Sequence, residues 1–211
     1  MLWTRHARST NELVTTIGGA MFERCEWLNE PGEWDLKDGR LQVVTNAKTD
    51  FWRETYYGFT HDSGHSFGIQ TKGDFSAQVY VRGEFETLYD QAGLLIRVDE
   101  RNWVKAGVEL TDDALMTSSV ITLERSDWAL GSPIATTDGF WLRATVEQGV
   151  LRLQSSIDGI TWPMLRLAPF PKAESYFVGV ACCSPKRGGL TIDFSEFIVT
   201  PPQRKDLHDL T

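Results

Sequence analysis

The sequence predicts an all-β protein built as two stacked antiparallel sheets. Three observations carry that prediction. Apolar and polar residues alternate along most of the chain, the period of a strand with one buried face. Gly, Asp, Asn or Pro breaks the alternation every eight to fifteen residues, which is how antiparallel sandwiches are punctuated. Helical spacing of apolar residues is scarce, so no helical layer is expected. The 211 residues suit one large domain, read as 1–200, followed by a flexible tail at 201–211, PPQRKDLHDLT. There is no repeat and no low-complexity segment.

In order, the predicted strands cover residues 41–45, 51–59, 66–70, 75–83, 89–99, 103–110, 118–125, 140–148, 150–157, 161–167, 176–183 and 190–200. Within DQAGLLIRVDE, Ala92, Leu94, Ile96 and Val98 form the inward set, and Gln91, Gly93, Leu95 and Arg97 face away. In WVKAGVEL the inward set is Ala106, Val108 and Leu110, with Lys105, Gly107 and Glu109 outward. SSVITLE puts Ser119, Ile121 and Leu123 inward and Ser118, Val120 and Thr122 outward. Cys182 and Cys183 follow one another on a strand, so one faces in and one out. Asp158-Gly159 reads as a two-residue hairpin turn between 150–157 and 161–167; SSIDGITW resembles an Asp-box, but in a single copy and one residue short.

The three central strands thus share an outer face carrying Gln91, Arg97, Lys105, Glu109 and Thr122. A solvated sheet face has this composition, and so does a ligand-bearing one. Gly93 and Gly107 favour the second reading, because glycine inside a strand costs about 1 kcal/mol and marks a bend or a close approach. A sugar lying over them would stack its apolar ring face on Trp or Tyr and take hydrogen bonds from Gln, Glu and Arg.

The segment TDFWRETYYGFTHDSGHSFGIQ, residues 49–70, is the best site candidate. It does not alternate as a core strand would. Instead it collects Trp52, Arg53, Tyr56, Tyr57, His61, Asp62 and His65, types more often found at wet pockets than in dry cores. Trp52, Tyr56 and Trp128 are placed at the rim of the site. Trp52, Arg53, Tyr56, His65, Gln91, Lys105 and Trp128 are the expected ligand-binding residues, and Glu109, Asp62 and His61 the candidate catalytic ones. His61, Asp62 and His65 offer three metal-ligand types, but HDSGH has no helix to align positions four apart. The two histidines equally suit hydrogen-bonded turn positions, so no metal and no other cofactor is assigned.

The segments DFWRETYYGF with its HDSGH turn, YDQAGLLIRVDERNWVKAGVE, SSVITLERSDW and FWLRATVEQGVLRLQSSIDGITWPMLRL resemble, in order and spacing, the concanavalin A-like "regulation of enolase" family, a domain of unknown function. The resemblance spans roughly residues 20 to 200. It implies a concanavalin A-like jelly-roll sandwich of two antiparallel sheets, of the legume-lectin and glucanase type. It carries over no reaction and no catalytic residues.

Three functions fit. The first is a lectin-like module that binds or senses carbohydrate, its partner a saccharide or small polar ligand. The second is a glycan-processing hydrolase using Glu109 with Asp62, His61 or Asp127; the acidic strand motif of the glucanases is absent, and these acids would have to converge from a strand and two loops. The third is a protein-interaction domain that regulates a metabolic enzyme, as the family's name implies. A net charge of −8 argues against a nucleic-acid partner. The N-terminal MLWTRHARSTNELVTT has no signal-like apolar run, no stretch suits a membrane span, and three cysteines lack a CxxC; a soluble cytoplasmic protein is expected.

Overall fold

Alternation gives each long strand one apolar face, and the computed structural model, which describes residues 20–134 and 138–211, stacks those faces as two sheets. In chain order the strands begin with β1 (Glu26–Leu28), β2 (Glu33–Lys37), β3 (Arg40–Val44), β4 (Phe51–Arg53), β5 (Thr60–Asp62), β6 (His65–Lys72), β7 (Phe75–Gly83) and β8 (Gln91–Arg97). They continue with β9 (Asn102–Thr111), β10 (Ala114–Leu123), β11 (Arg125–Pro133), β12 (Phe140–Glu147), β13 (Val150–Ser156), β14 (Met164–Pro169), β15 (Ser175–Cys183) and β16 (Thr191–Thr200). The first sheet runs β1-β6-β15-β8-β9-β10-β11 and the second β14-β13-β12-β7-β16-β3-β2, while β4 and β5 pair only with each other. Residues 20–22 are the only helical positions among the described residues, and no helix there is long and apolar enough to cross a membrane. Residues 1–19, including the N-terminal segment read above, lie outside the described residues.

Between the sheets, Ala92, Leu94 and Ile96 of β8, Ala106 and Val108 of β9 and Ile121 of β10 pack on β7 and β12, where Val79, Val81, Leu142 and Ala144 face them. Ile96 is fully enclosed. Its truncation to alanine should cost about 2–4 kcal/mol in urea unfolding, since the cavity cannot collapse against two sheets; an unchanged midpoint would mean that the strand phase is wrong.

Several boundaries differ from the sequence reading. Residues 54–59 leave the strand after Arg53, because Glu54, Tyr56 and Gly58 adopt φ of 61°, 63° and 73°, and the chain turns back as β5. Leu123 is 42 % exposed at the tip of β10, where Glu124 at φ 65° starts the turn into β11, beyond cover of the opposing sheet. Val98 and Leu110, also expected inside, end up partly buried at strand ends. Strand β14 starts at Met164, so the Asp158-Gly159 turn is a longer loop: Asp158 Oδ1 accepts from the Ile160 and Thr161 amides at 2.8 and 2.7 Å. Against the outer face of the second sheet lies the C-terminal segment, where Arg152 donates to the carbonyls of Gln203 and Lys205 and the Trp162 amide to that of Leu210.

The outer face of the first sheet carries a second apolar cluster. Leu95, Trp103, Val120, Ala181 and Cys183 point outward and pack under Phe51 and Trp52 of β4, while Cys182 joins the main core. The alternation placed Leu95 and Val120 outside correctly; the β4–β5 hairpin explains why apolar residues stand there. Gly93 and Gly107 are register partners, and a Cβ on either would meet the partner strand's carbonyl oxygen at 1.9 Å. The close approach these glycines allow is therefore between β8 and β9 themselves.

Candidate functional site

The register of the first sheet determines what stands side by side on its outer face. Leu95, Lys105, Val120 and Trp128 form one row across β8, β9, β10 and β11, and Gln91 lies opposite Glu109 two rows along, beyond the row of Gly93, Gly107 and Ser118. The β4–β5 hairpin rises over one side of these rows. Between hairpin and sheet lies a cleft of about 450 Å³, within the range of small-molecule sites.

Aromatic residues make its walls. Trp52, Tyr57 and Phe59 come from the hairpin, Tyr89 from the segment before β8 and Trp128 from β11. Tyr57 and Phe59 stack at 5.2 Å, the Tyr57 ring meets Trp52 edge-on at 5.7 Å, and Tyr89 meets Trp128 edge-on at 6.5 Å. The Tyr57 and Tyr89 hydroxyls lie 3.3 Å apart and join the two walls. That hydrogen bond, with burial, pushes the Tyr89 phenol up to about 12.

Charged groups make the floor. Lys105 Nζ donates to Asp50 Oδ1 at 2.6 Å, and both side chains are nearly enclosed. Burial pulls the lysine down, but the carboxylates of Asp50, first, and Glu109 outweigh it and hold the ammonium above its ordinary range. Trp128 Nε1 donates to Ser118 Oγ at 3.2 Å, and Ser118 Oγ donates to Glu109 Oε2 at 3.0 Å. Burial pushes the Glu109 carboxyl up, against the opposing pull of Lys105 and Ser118. The cleft therefore offers stacking faces above hydrogen-bonding groups that are already oriented.

Of the residues singled out from the sequence, Trp52, Tyr57, His61, Gln91, Lys105, Glu109 and Trp128 line this one cleft. Tyr56 does not; it stands 91 % exposed at the hairpin tip, over an adjoining depression shared with Trp52 and Trp128. Arg53 points to the β10–β11 turn, its Nε donating to the Glu124 carbonyl at 3.1 Å. His65 is buried below the hairpin, where Nε2 accepts from the Asn46 amide at 3.1 Å and Nδ1 meets the Asn29 carbonyl at 2.6 Å. Both its nitrogens are taken, and burial holds the imidazole below its ordinary range. Asp62 forms a bidentate pair with Arg97, and Asp127 pairs with Arg166 at 2.9 Å. His61, Asp62 and His65 thus do not converge, and among the described residues no group of three or more His, Cys, Asp or Glu is arranged to hold a metal ion.

Asp50, Phe59 and Tyr89 were missed as site residues. Asp50 opens the aromatic segment, and an acid there opposite a mid-strand lysine was the available signal. Lys48 and Lys186, which also line the cleft, sit in loops whose position no periodicity predicts.

The family model described as "Protein of unknown function (DUF1349)" matches residues 27–202. Regulation of enolase protein 1 of Saccharomyces cerevisiae is 51 % identical over 185 residues, covering 88 % of this chain and 93 % of the yeast protein. A crystal structure of a functionally unknown Saccharomyces cerevisiae protein superposes with a TM-score of 0.84 at 49 % identity, over 87 % of this chain and 99 % of that one. At 10 % identity, a legume lectin-like domain of Entamoeba histolytica gives a TM-score of 0.60 over 87 % of this chain and 92 % of the domain, a likeness of fold alone. The two-sheet architecture is accordingly lectin-like, the concanavalin A-like sandwich that the sequence resemblance implies. Matched by the family model over most of its length and half identical to the yeast protein, the chain belongs to DUF1349, the family of Regulation of enolase protein 1.

Proposed function

We propose that the protein is a lectin-like module that binds a saccharide in the cleft between the β4–β5 hairpin and the first sheet. One observation carries this reading: two aromatic walls enclose a floor of oriented polar groups in a volume that fits one or two sugar rings. Sugar rings present apolar faces for Trp52 and Trp128, while Gln91, Lys105 and Glu109 supply donors and acceptors for hydroxyls. Fold likeness to lectin-like domains supports the class of ligand only as analogy. Three free thiols suit a reducing, cytoplasmic setting.

Hydrolysis is the weaker reading, because Asp62 and Asp127 are engaged by arginines and Glu109 lacks either as a partner across the cleft. A protein-binding role has one observation of its own. Tyr56, Tyr57 and Phe59 project from the hairpin 91, 46 and 42 % exposed, the kind of aromatic tip that anchors a protein contact. The yeast relative's name points to enolase as the enzyme to try as partner.

A glycan microarray with the full chain, followed by calorimetry on the hits, tests the proposal. Trp52→Ala should weaken binding by about 1–3 kcal/mol through loss of stacking area. Glu109→Gln should keep most of the affinity in a binding module, whereas a hydrolase would still bind and lose turnover about a hundredfold or more. No glycan binding by the wild-type protein, with enolase retained on an affinity column, would replace the saccharide reading with the protein-binding one.

A further inference from the structure

Resting on the saccharide reading, we propose that the ligand is an anionic sugar, one whose ring carries a carboxylate or a phosphate, and that Lys48 and Lys186 receive the charged group at the mouth of the cleft. The two lysines come from loops far apart in sequence and line the same cavity. Their loops are tied together: the Lys48 amide donates to the Ser184 carbonyl at 3.0 Å and the Ser184 amide to Thr49 Oγ1 at 3.0 Å. Beneath, the buried Asp90 carboxylate accepts from Ser184 Oγ at 3.0 Å and from Arg187 Nη2 at 2.6 Å, which holds the segment carrying Lys186 in place. Lys48 itself adopts φ 62°, a backbone conformation that a non-glycine residue keeps only under constraint.

Charge matching makes the pair conspicuous. In this acidic chain the other lysine and the arginines around the cleft each have a carboxylate: Lys105 has Asp50, Arg97 has Asp62, Arg166 has Asp127 and Arg187 has Asp90. Among the described residues, Lys48 and Lys186 have none; the Lys186 ammonium instead sits 5.8 Å from the centre of the Tyr89 ring. Two exposed ammonium groups that line one cavity without a carboxylate of their own make its mouth positive, and an anionic substituent there would gain from both. A sugar stacked on Tyr89 or Trp128 would bring a ring substituent to that lip. Of the floor carboxylates, Asp50 is neutralised by Lys105 at 2.6 Å and so does not oppose this strongly.

The test is a microarray of purified glycans in matched pairs, neutral against carboxylate-bearing or phosphorylated, with calorimetry at low and at 0.5 M salt. Anionic members should bind about tenfold or more tighter than their neutral partners, and added salt should shrink that margin. Lys48→Gln with Lys186→Gln should collapse the margin, whereas Lys48→Arg with Lys186→Arg should retain it. Whether carboxylate or phosphate is the natural group follows from which half of the charged panel binds tighter. Neutral and charged members binding equally would overturn the inference and leave the saccharide reading standing; so would a margin unmoved by the glutamine pair. Binding by no glycan at all would remove both. Inorganic phosphate binding as tightly as any sugar phosphate would show an anion site that does not read the sugar, against the proposal.

Discussion

Asp50→Ala should destabilise the protein by about 3–5 kcal/mol, because it strands the Lys105 ammonium in a nearly closed pocket. The pair lies at 2.6 Å with side-chain exposures of 14 % for Asp50 and 11 % for Lys105, so water cannot readily take over as partner. Asp50 also holds the hairpin, its carbonyl accepting from the Ser63 and Gly64 amides at 2.9 Å. Those backbone bonds survive the substitution, so the loss reports the charge pair together with the one bond that Asp50 Oδ1 accepts from the Phe51 amide at 2.8 Å. Adding Lys105→Met should restore most of the stability, since replacing both charges by apolar groups is often neutral. A single variant within about 1 kcal/mol of wild type in urea unfolding would mean that solvent reaches Lys105 and that the floor of the cleft is wet.

The fold was legible because a strand's period is two and a one-residue slip inverts every face. Ala92, Leu94 and Ile96 could only be the inward set once Gln91 and Arg97 were outward, and the same parity put Lys105 and Glu109 on the face where the cleft lies. What periodicity cannot show is which loop covers a face. Leu95 and Val120 look like exceptions until the hairpin lies over them, and the loop of Lys48 meets the loop of Lys186 through backbone hydrogen bonds from the Lys48 amide to Ser184 and Arg187, more than a hundred positions away. Short edge strands such as β1 and β2 escaped for a related reason, being too brief to establish a period. His65 shows the converse error. Its residue type suggested a wet site, yet a backbone amide and a backbone carbonyl satisfy both nitrogens in the interior.

Trp103→Ala separates the stability of the sandwich from the integrity of the cleft. Trp103 is fully buried, but on the outer face of the first sheet, where its ring lies 5.9 Å from that of Phe51 and packs in one cluster with Leu95 and Val120. Truncation should cost about 3–5 kcal/mol, comparable to the loss from a core position such as Ile96. The two losses should differ in where they appear. Without the indole the hairpin has lost the tryptophan of the sheet face that seats it, and β4 and β5 share a backbone ladder with no other strand, held to the first sheet otherwise by side-chain bonds such as Arg97 to Asp62 and the Arg53 amide to Ser126 Oγ. Amide-exchange protection at Phe51 and Trp52 should therefore fall in Trp103→Ala under conditions where the β8 and β9 amides stay protected, and glycan binding should fall with it. Ile96→Ala, weakened by a similar amount between the sheets, should keep both the hairpin protection and the binding. If the two variants lost hairpin protection equally, the hairpin and sandwich would unfold as one unit, and the cleft would be no more labile than the core.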